Sequence, residues 1–77
     1  MPTFQWEALS PDKEKAAILN LMHASALFES KGAIRRLITQ GGVKLNGEKV
    51  SDPLQTLLRT EDAQIIQAGK RIFFKII

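Results

Sequence analysis

A chain of 77 residues with no cysteine and a net charge of +3 makes one domain with a thin core, and it excludes both disulfides and cysteine-rich zinc sites. No stretch approaches the ~20 apolar residues of a membrane helix, and the N-terminus lacks the basic-then-apolar order of a secretion signal, so the chain reads as soluble and cytoplasmic, with no membrane partner. The charge is unevenly spread: residues 1–30 and 51–64 are each net −2, residues 31–50 are net +4, and the tail adds Lys70, Arg71 and Lys75. A fold that joins the two cationic blocks makes one basic patch.

In chain order, Met1–Leu9 holds Phe4 and Trp6 one residue apart, which suits a short extended piece covering the core and a linker from something upstream. Ser10-Pro11-Asp12 has the composition of a helix start: a cap, a proline where its missing amide does no harm, and an acid near the positive end of the dipole. The expected first helix runs from there to about Ala24 and buries Ala17, Ile18, Leu21 and Met22. Ser25–Glu29 is a connector, with Leu27 and Phe28 pinned against both helices.

Ser30 is a good N-cap and Gly41 a good stop, so a second helix is expected from Lys31 to Gln40. At roughly 100° per residue, Ala33, Ile34, Leu37 and Ile38 share one arc while Lys31, Arg35, Arg36, Thr39 and Gln40 share the other. One side is core and the other cationic. In VKLNGEKV, Asn46-Gly47 signals a two-residue hairpin, because both central residues of that turn need positive φ. Its register sets Leu45 opposite Glu48, Lys44 opposite Lys49 and Val43 opposite Val50, with the valines and Leu45 facing the core. Lys44 and Lys49 are then like charges directly opposed, a cost that an anion lying across them relieves.

Ser51-Asp52-Pro53 is a turn, and Leu54, Leu57 and Leu58 suggest one turn of helix or an irregular apolar plug. After a turn at Thr60-Glu61-Asp62, a strand near Ala63–Gln67 and a return strand Arg71–Ile77 are joined at Ala68-Gly69-Lys70. Ile72, Phe74 and Ile76 fall on one face of the return strand, Arg71, Phe73 and Lys75 on the other. The expected fold class is α+β: two N-terminal helices followed by a small, mainly antiparallel sheet.

The run SKGAIRRLITQGGVKLNGEKVSDP resembles the RNA-binding domain first known from ribosomal small-subunit protein four, the alpha-L RNA-binding motif. More narrowly, the double glycine, the Ser-Asp-Pro and an ending in GKRIFFKII are similar to the C-terminal domain of bacterial-type tyrosyl-tRNA synthetases. The resemblance is strong from Ile18 to Pro53, looser through the second hairpin and weak before Ser10. Ala26 stands near the place where relatives usually have a glycine. Gly32 and Ala33 replace a polar residue and an acid, which removes a capping box and leaves the helix start more positive.

The resemblance implies a non-catalytic domain of an ATP-dependent tyrosine–tRNA ligase that holds tRNA-Tyr at the anticodon stem and long variable arm, while an upstream catalytic domain of the same polypeptide does the chemistry. It implies an isolated monomer, a homodimeric full-length enzyme and no cofactor in this domain. Residues 1–9 are then a linker or N-terminal extension and residues 10–77 the RNA-binding domain. The chain has no His-x-Gly-His, no Lys-Met-Ser-Lys-Ser and no phosphate-cradling glycine loop.

Phosphate contacts are expected from Lys31, Arg35, Arg36, Lys44 and Lys49, hydrogen bonds to sugar or base edges from Thr39, Gln40 and Asn46, and an extension of the track from Lys70, Arg71 and Lys75. Phe73 is the one aromatic placed for stacking. Each signal has a blander counterpart: a cationic helix face that is merely solvated, or Arg36 paired with Glu29 or Glu48. His23, with no second histidine, cannot complete a metal site, and Asp52, Glu61 and Asp62 suit turns better than acid/base catalysis. Two other functions stay open: a stand-alone ribosome-associated or RNA-modification accessory domain, and a protein-interaction module using Leu54–Leu58.

Overall fold

The computed structural model describes all residues, Met1–Ile77. The elements are β1 (Thr3–Phe4), α1 (Trp6–Leu9), β2 (Lys15–Ala17), α2 (Ile18–Ala24), α3 (Lys31–Thr39), β3 (Val43–Leu45), β4 (Glu48–Lys49), β5 (Thr56–Leu58), β6 (Gln64–Ala68) and β7 (Ile72–Ile76). A five-stranded sheet in the order β1-β7-β6-β3-β4 is accompanied by a two-stranded ribbon of β2 and β5. All pairings are antiparallel except β1 with β7. The α+β class therefore holds and the sheet is mainly antiparallel, made mixed by the one parallel β1–β7 pairing, with three helices in place of two.

The core is a single cluster between the helices and one face of the larger sheet. Ile18, Leu19, Leu21 and Met22 of α2, Ile34 and Ile38 of α3, and Val43, Val50, Ile66, Ala68, Phe74 and Ile76 of the strands and hairpin are all buried in it. Period-two alternation delivers the strand residues and the 3.6-residue repeat delivers the helical ones. Phe74 is the meeting point of the aromatics: Phe4 and Phe28 both pack against it edge-on, at centroid distances of 5.7 and 6.5 Å. Phe28 thus packs as expected of the connector, whereas Leu27 lies half-exposed.

The helix expected from Ser10 to about Ala24 departs from the sequence reading: it is α2, and the short α1 at Trp6–Leu9 precedes it where an extended piece was expected. α2 begins at Ile18, because Ser10-Pro11-Asp12 folds into an Asp-centred turn: the Asp12 carboxylate accepts from the Glu14 and Lys15 amides at 2.8 and 3.2 Å. Lys15–Ala17 then pairs with Thr56–Leu58, and the first helical amide, that of Ile18, donates across to the Gln55 carbonyl at 2.9 Å. Local capping chemistry lost to a tertiary strand pairing that satisfies the same donors. Ala17, expected in the helix core, is a part-buried strand residue. Leu54–Leu58 is correspondingly neither helix nor plug: β5 buries only Leu57 and leaves Leu54 and Leu58 exposed.

Before β2, Trp6 in α1 is fully buried and donates its indole N–H to the Asp12 carbonyl. The Trp6 amide donates to the Ile77 carbonyl at 2.9 Å, so the first residues are hydrogen-bonded to the last strand. Glu7 pairs with Arg59, and backbone hydrogen bonding together with that guanidinium lowers the Glu7 pKa.

α2 closes at Ser25, whose buried hydroxyl donates to the Met22 carbonyl at 2.6 Å. The next residue, Ala26, has φ +61°, the left-handed region that costs an L-residue roughly 1–2 kcal/mol and that glycine enters freely. Ala26→Gly is expected to stabilise the fold by about 0.5–1 kcal/mol after the extra freedom of the unfolded chain is counted, raising the melting temperature by roughly 2–8 °C; a calorimetric melt that falls contradicts the geometry. The two amides on Asp12 hold its carboxylate below the ordinary aspartate range. Its stabilising contribution is therefore complete above the unfolded value of about 4 and lost as pH falls through the lower folded value. Carboxyl NMR titration should place Asp12 below a model peptide, and Asp12→Asn should flatten the acid limb of stability.

Candidate nucleic-acid interface

α3 starts and stops as its residues dictate. The Ser30 hydroxyl accepts from the Ala33 amide at 3.1 Å. At the other end, Gly41 N–H donates to Ile38 O at 3.0 Å and Gly42 N–H to Leu37 O at 2.8 Å, the paired pattern of a Schellman closure with the left-handed residue at Gly41, φ +77°. A Cβ on Gly42 would lie 2.8 Å from Leu37 Cδ2, so the second glycine permits close approach of the helix to the incoming strand. The chain passes from α3 into β3 with no slack.

The hairpin forms in the expected register, Lys44 opposite Lys49 and Leu45 opposite Glu48, with the Val50 amide donating to Val43 O at 2.9 Å. Asn46 and Gly47 both take positive φ, 51° and 87°. The Lys49 side chain folds back over Gly41, its Cε and Nζ occupying the space a Cβ there would need. A cation thus sits against the carbonyl end of α3, where the helix dipole favours it, and the ribbon is joined to the helix by that contact.

The second cationic block is brought in by the sheet. β3 pairs with β6, and Gly69 N–H donates to Gly42 O at 2.7 Å. Between the two hairpins lies an open cleft of about 320 Å³ lined by Gly41, Gly42, Lys44, Gln67, Gly69 and Lys70. The amides of all three glycines are spent on protein carbonyls, so any anion held there is held by lysine ammonium groups.

Lys31, Arg35, Arg36, Thr39, Gln40, Lys44, Asn46, Lys49, Lys70 and Arg71 are exposed, and Lys75 is half-buried. They do not form one cluster. Lys49, Lys44 and Lys70 gather about the C-terminal end of α3, and Arg35 and Arg36 lie on its exposed side. Lys31, at the opposite end of the helix, lines a separate cleft with Lys15, Asn20, His23 and Asp12. Lys75 stands on the outer face of β7, opposite Thr3 and Ile65. Two polar side chains are partly committed: the Thr39 hydroxyl donates to the Arg35 and Arg36 carbonyls, and Asn46 Oδ1 accepts from the Ile65 amide at 2.8 Å. Thr39 keeps acceptor capacity and Asn46 keeps its NH2 group for a ligand.

None of these cations is paired with an acid. The one ion pair in the structure is Arg59 with Glu7; Arg36 engages neither Glu29 nor Glu48. Sequence reasoning does not single out Lys15 or Asn20, because it places Lys15 inside a helix and not in a strand that shares a cleft with Lys31. Gln67 was missed because only the sheet register sets it beside Lys44.

Residues 18–63 match the S4 domain family. The chain belongs to that family. Among curated relatives, this S4 domain is 40% identical to the tyrosine–tRNA ligase of Chlorobaculum tepidum over 76 residues, 99% of this chain and 18% of that protein. It is 46% identical to the Geobacter sulfurreducens enzyme over 68 residues, 88% of this chain and 17% of that one, and 35% identical to the Clostridium perfringens enzyme across its whole length, 19% of that protein. The chain spans less than a fifth of the curated relatives it matches. No helix is long and apolar enough to cross a membrane.

The Gly41–Lys49 contact is testable against a control. Gly41→Ala and Gly47→Ala both force an L-residue to positive φ and should each cost about 1–2 kcal/mol in urea unfolding. Only Gly41→Ala meets the Lys49 side chain, so only that variant should shift the Lys49 Cε and Nζ resonances; equal shifts in both would refute the contact.

Proposed function

We propose that this S4 domain is the non-catalytic tRNA-binding part of a tyrosyl-tRNA synthetase, holding tRNA-Tyr through its phosphates while an upstream catalytic domain of the same polypeptide joins tyrosine to it. The observation that carries the reading is a set of cations free of acidic partners, set on the exposed side of α3 and on the ribbon that Lys49 fastens to its end. The tyrosine–tRNA ligases it resembles support the tRNA assignment. Residues 10–77 are the RNA-binding domain in this reading, and residues 1–9, which pack into the same core, lead into it from the upstream domain.

Lys31, Arg35, Arg36, Lys44 and Lys49 neutralise phosphates and release counterions, so affinity falls steeply with salt. Such contacts position the RNA and carry little sequence information. Thr39, Gln40 and Asn46 supply hydrogen bonds at sugar or base edges, and Lys70, Arg71 and Lys75 extend the track. A second reading, docking of a protein through Leu54 and Leu58, rests on their exposure of 69% and 62%.

Charge reversal separates the two. Arg35→Glu with Arg36→Glu should weaken tRNA binding by more than about tenfold and lower the slope of log affinity against log salt by roughly one per lost phosphate contact, with the melting temperature little changed. Affinity that ignores salt in the unsubstituted protein refutes the phosphate reading, as does a double variant that binds tRNA unchanged.

A further inference from the structure

We infer that the outer face of the five-stranded sheet is a platform for one unpaired nucleotide, its base stacked on Phe73 and hydrogen-bonded at Gln67, and its phosphate held by Lys44 and Lys70. The inference rests on the RNA-binding reading above and adds to it a single-stranded element that duplex phosphates do not require.

The register defines the face. Lys49 is opposite Lys44, Lys44 opposite Gln67, and Gln67 opposite Phe73, so these four side chains form one row across β4, β3, β6 and β7. Directly opposed residues point the same way, and their chain neighbours Val43, Ile66, Ala68 and Phe74 are buried, which fixes the row as outward-facing. A parallel row on the same face contains Ile65 and Lys75. Phe73 is 38% exposed and Ile65 37%, so each keeps part of its apolar surface in water.

A phenyl ring on a solvated sheet face keeps apolar surface in water, and the neighbours identify what would cover it. Lys75 on the same strand and Lys44 two strands away give this face a positive charge, which disfavours a basic or purely apolar protein partner and favours a ligand that combines a flat apolar ring with an anion. A nucleotide is such a ligand, and unstacked bases settle on exposed aromatic rings in this way.

The polar groups are suitably placed. Gln67 Nε2 donates to the Gly69 carbonyl at 3.3 Å, which holds the carboxamide at the edge of the glycine cleft and leaves Oε1 to accept from a base. Gln67, Lys44 and Lys70 line that same cleft. With strands about 4.8 Å apart, Phe73 stands roughly 10 Å from Lys44, a span one nucleotide covers with the lysine extended toward it. A fully paired helix offers only ring edges in its grooves, so the occupant is a bulged, looped or terminal base.

The test titrates the 77-residue protein with two RNA hairpins that differ only by a one-nucleotide bulge. The unsubstituted protein should prefer the bulged hairpin, and Phe73→Ala should erase that preference, a loss of about tenfold. Phe73→Leu, which keeps apolar contact without an aromatic face, should behave like alanine, and Phe73→Trp should restore the preference. Affinity for the paired hairpin and its salt slope should stay constant throughout. Equal affinity for the two hairpins, or full function of Phe73→Leu, overturns the platform and leaves the phosphate reading standing. Failure of the unsubstituted protein to bind either hairpin overturns both.

Discussion

The closure of α3 at Gly41 and Gly42 is the constraint on which the arrangement of this molecule depends. Two consecutive carbonyl-capping hydrogen bonds end the helix, one left-handed residue turns the chain, and the absence of a second Cβ lets Leu37 press on the turn. Val43 therefore enters the same buried cluster as Ile38, and everything on the solvent side of the hairpin is fixed relative to the exposed side of the helix. Lys49 lying over Gly41 follows from the same closeness. A longer or looser connection would let helix and ribbon present their charges independently.

Charge placement of this kind carries a cost that the core must offset. Lys44 and Lys49 oppose each other across the hairpin and the cations of α3 lack acidic neighbours, so the free protein bears repulsion that pairing with Glu29 or Glu48 would have removed. Ala26 adds backbone strain at the connector. In a domain this small, whose stability is a modest difference between large opposing terms, the tying of the N-terminal residues into the core by Trp6, Phe4 and the parallel β1–β7 pairing has clear value.

How much of this was legible in the sequence follows from which interactions are local. Ser30, Gly41 and Asn46-Gly47 act on backbone groups within a few residues, so the second helix, its stop and the hairpin register could be read to within a residue. The first helix could not, because its apparent start at Ser10-Pro11-Asp12 competes with a pairing to Thr56–Leu58 some forty residues away, and no local pattern encodes that partner. The same non-local strand turned Leu54–Leu58 from a presumed plug into a ribbon. The candidate surface was legible as a list of cations but not as a shape: the sequence did not show that Lys31 occupies a different cleft from Lys44 and Lys70, nor that Phe73 and Gln67 stand in one row with Lys44.

The central claim is that helix and ribbon present one surface to RNA. Amide and side-chain NMR mapping during titration with a tRNA that carries a long variable arm tests it most directly. The account predicts that perturbations concentrate on the exposed side of α3, at Gly41 and Gly42, and along Lys44–Lys49, at low and moderate salt alike. Perturbations centred on Lys15–Ala17 and Leu54–Leu58, with α3 and the hairpin silent, would contradict it.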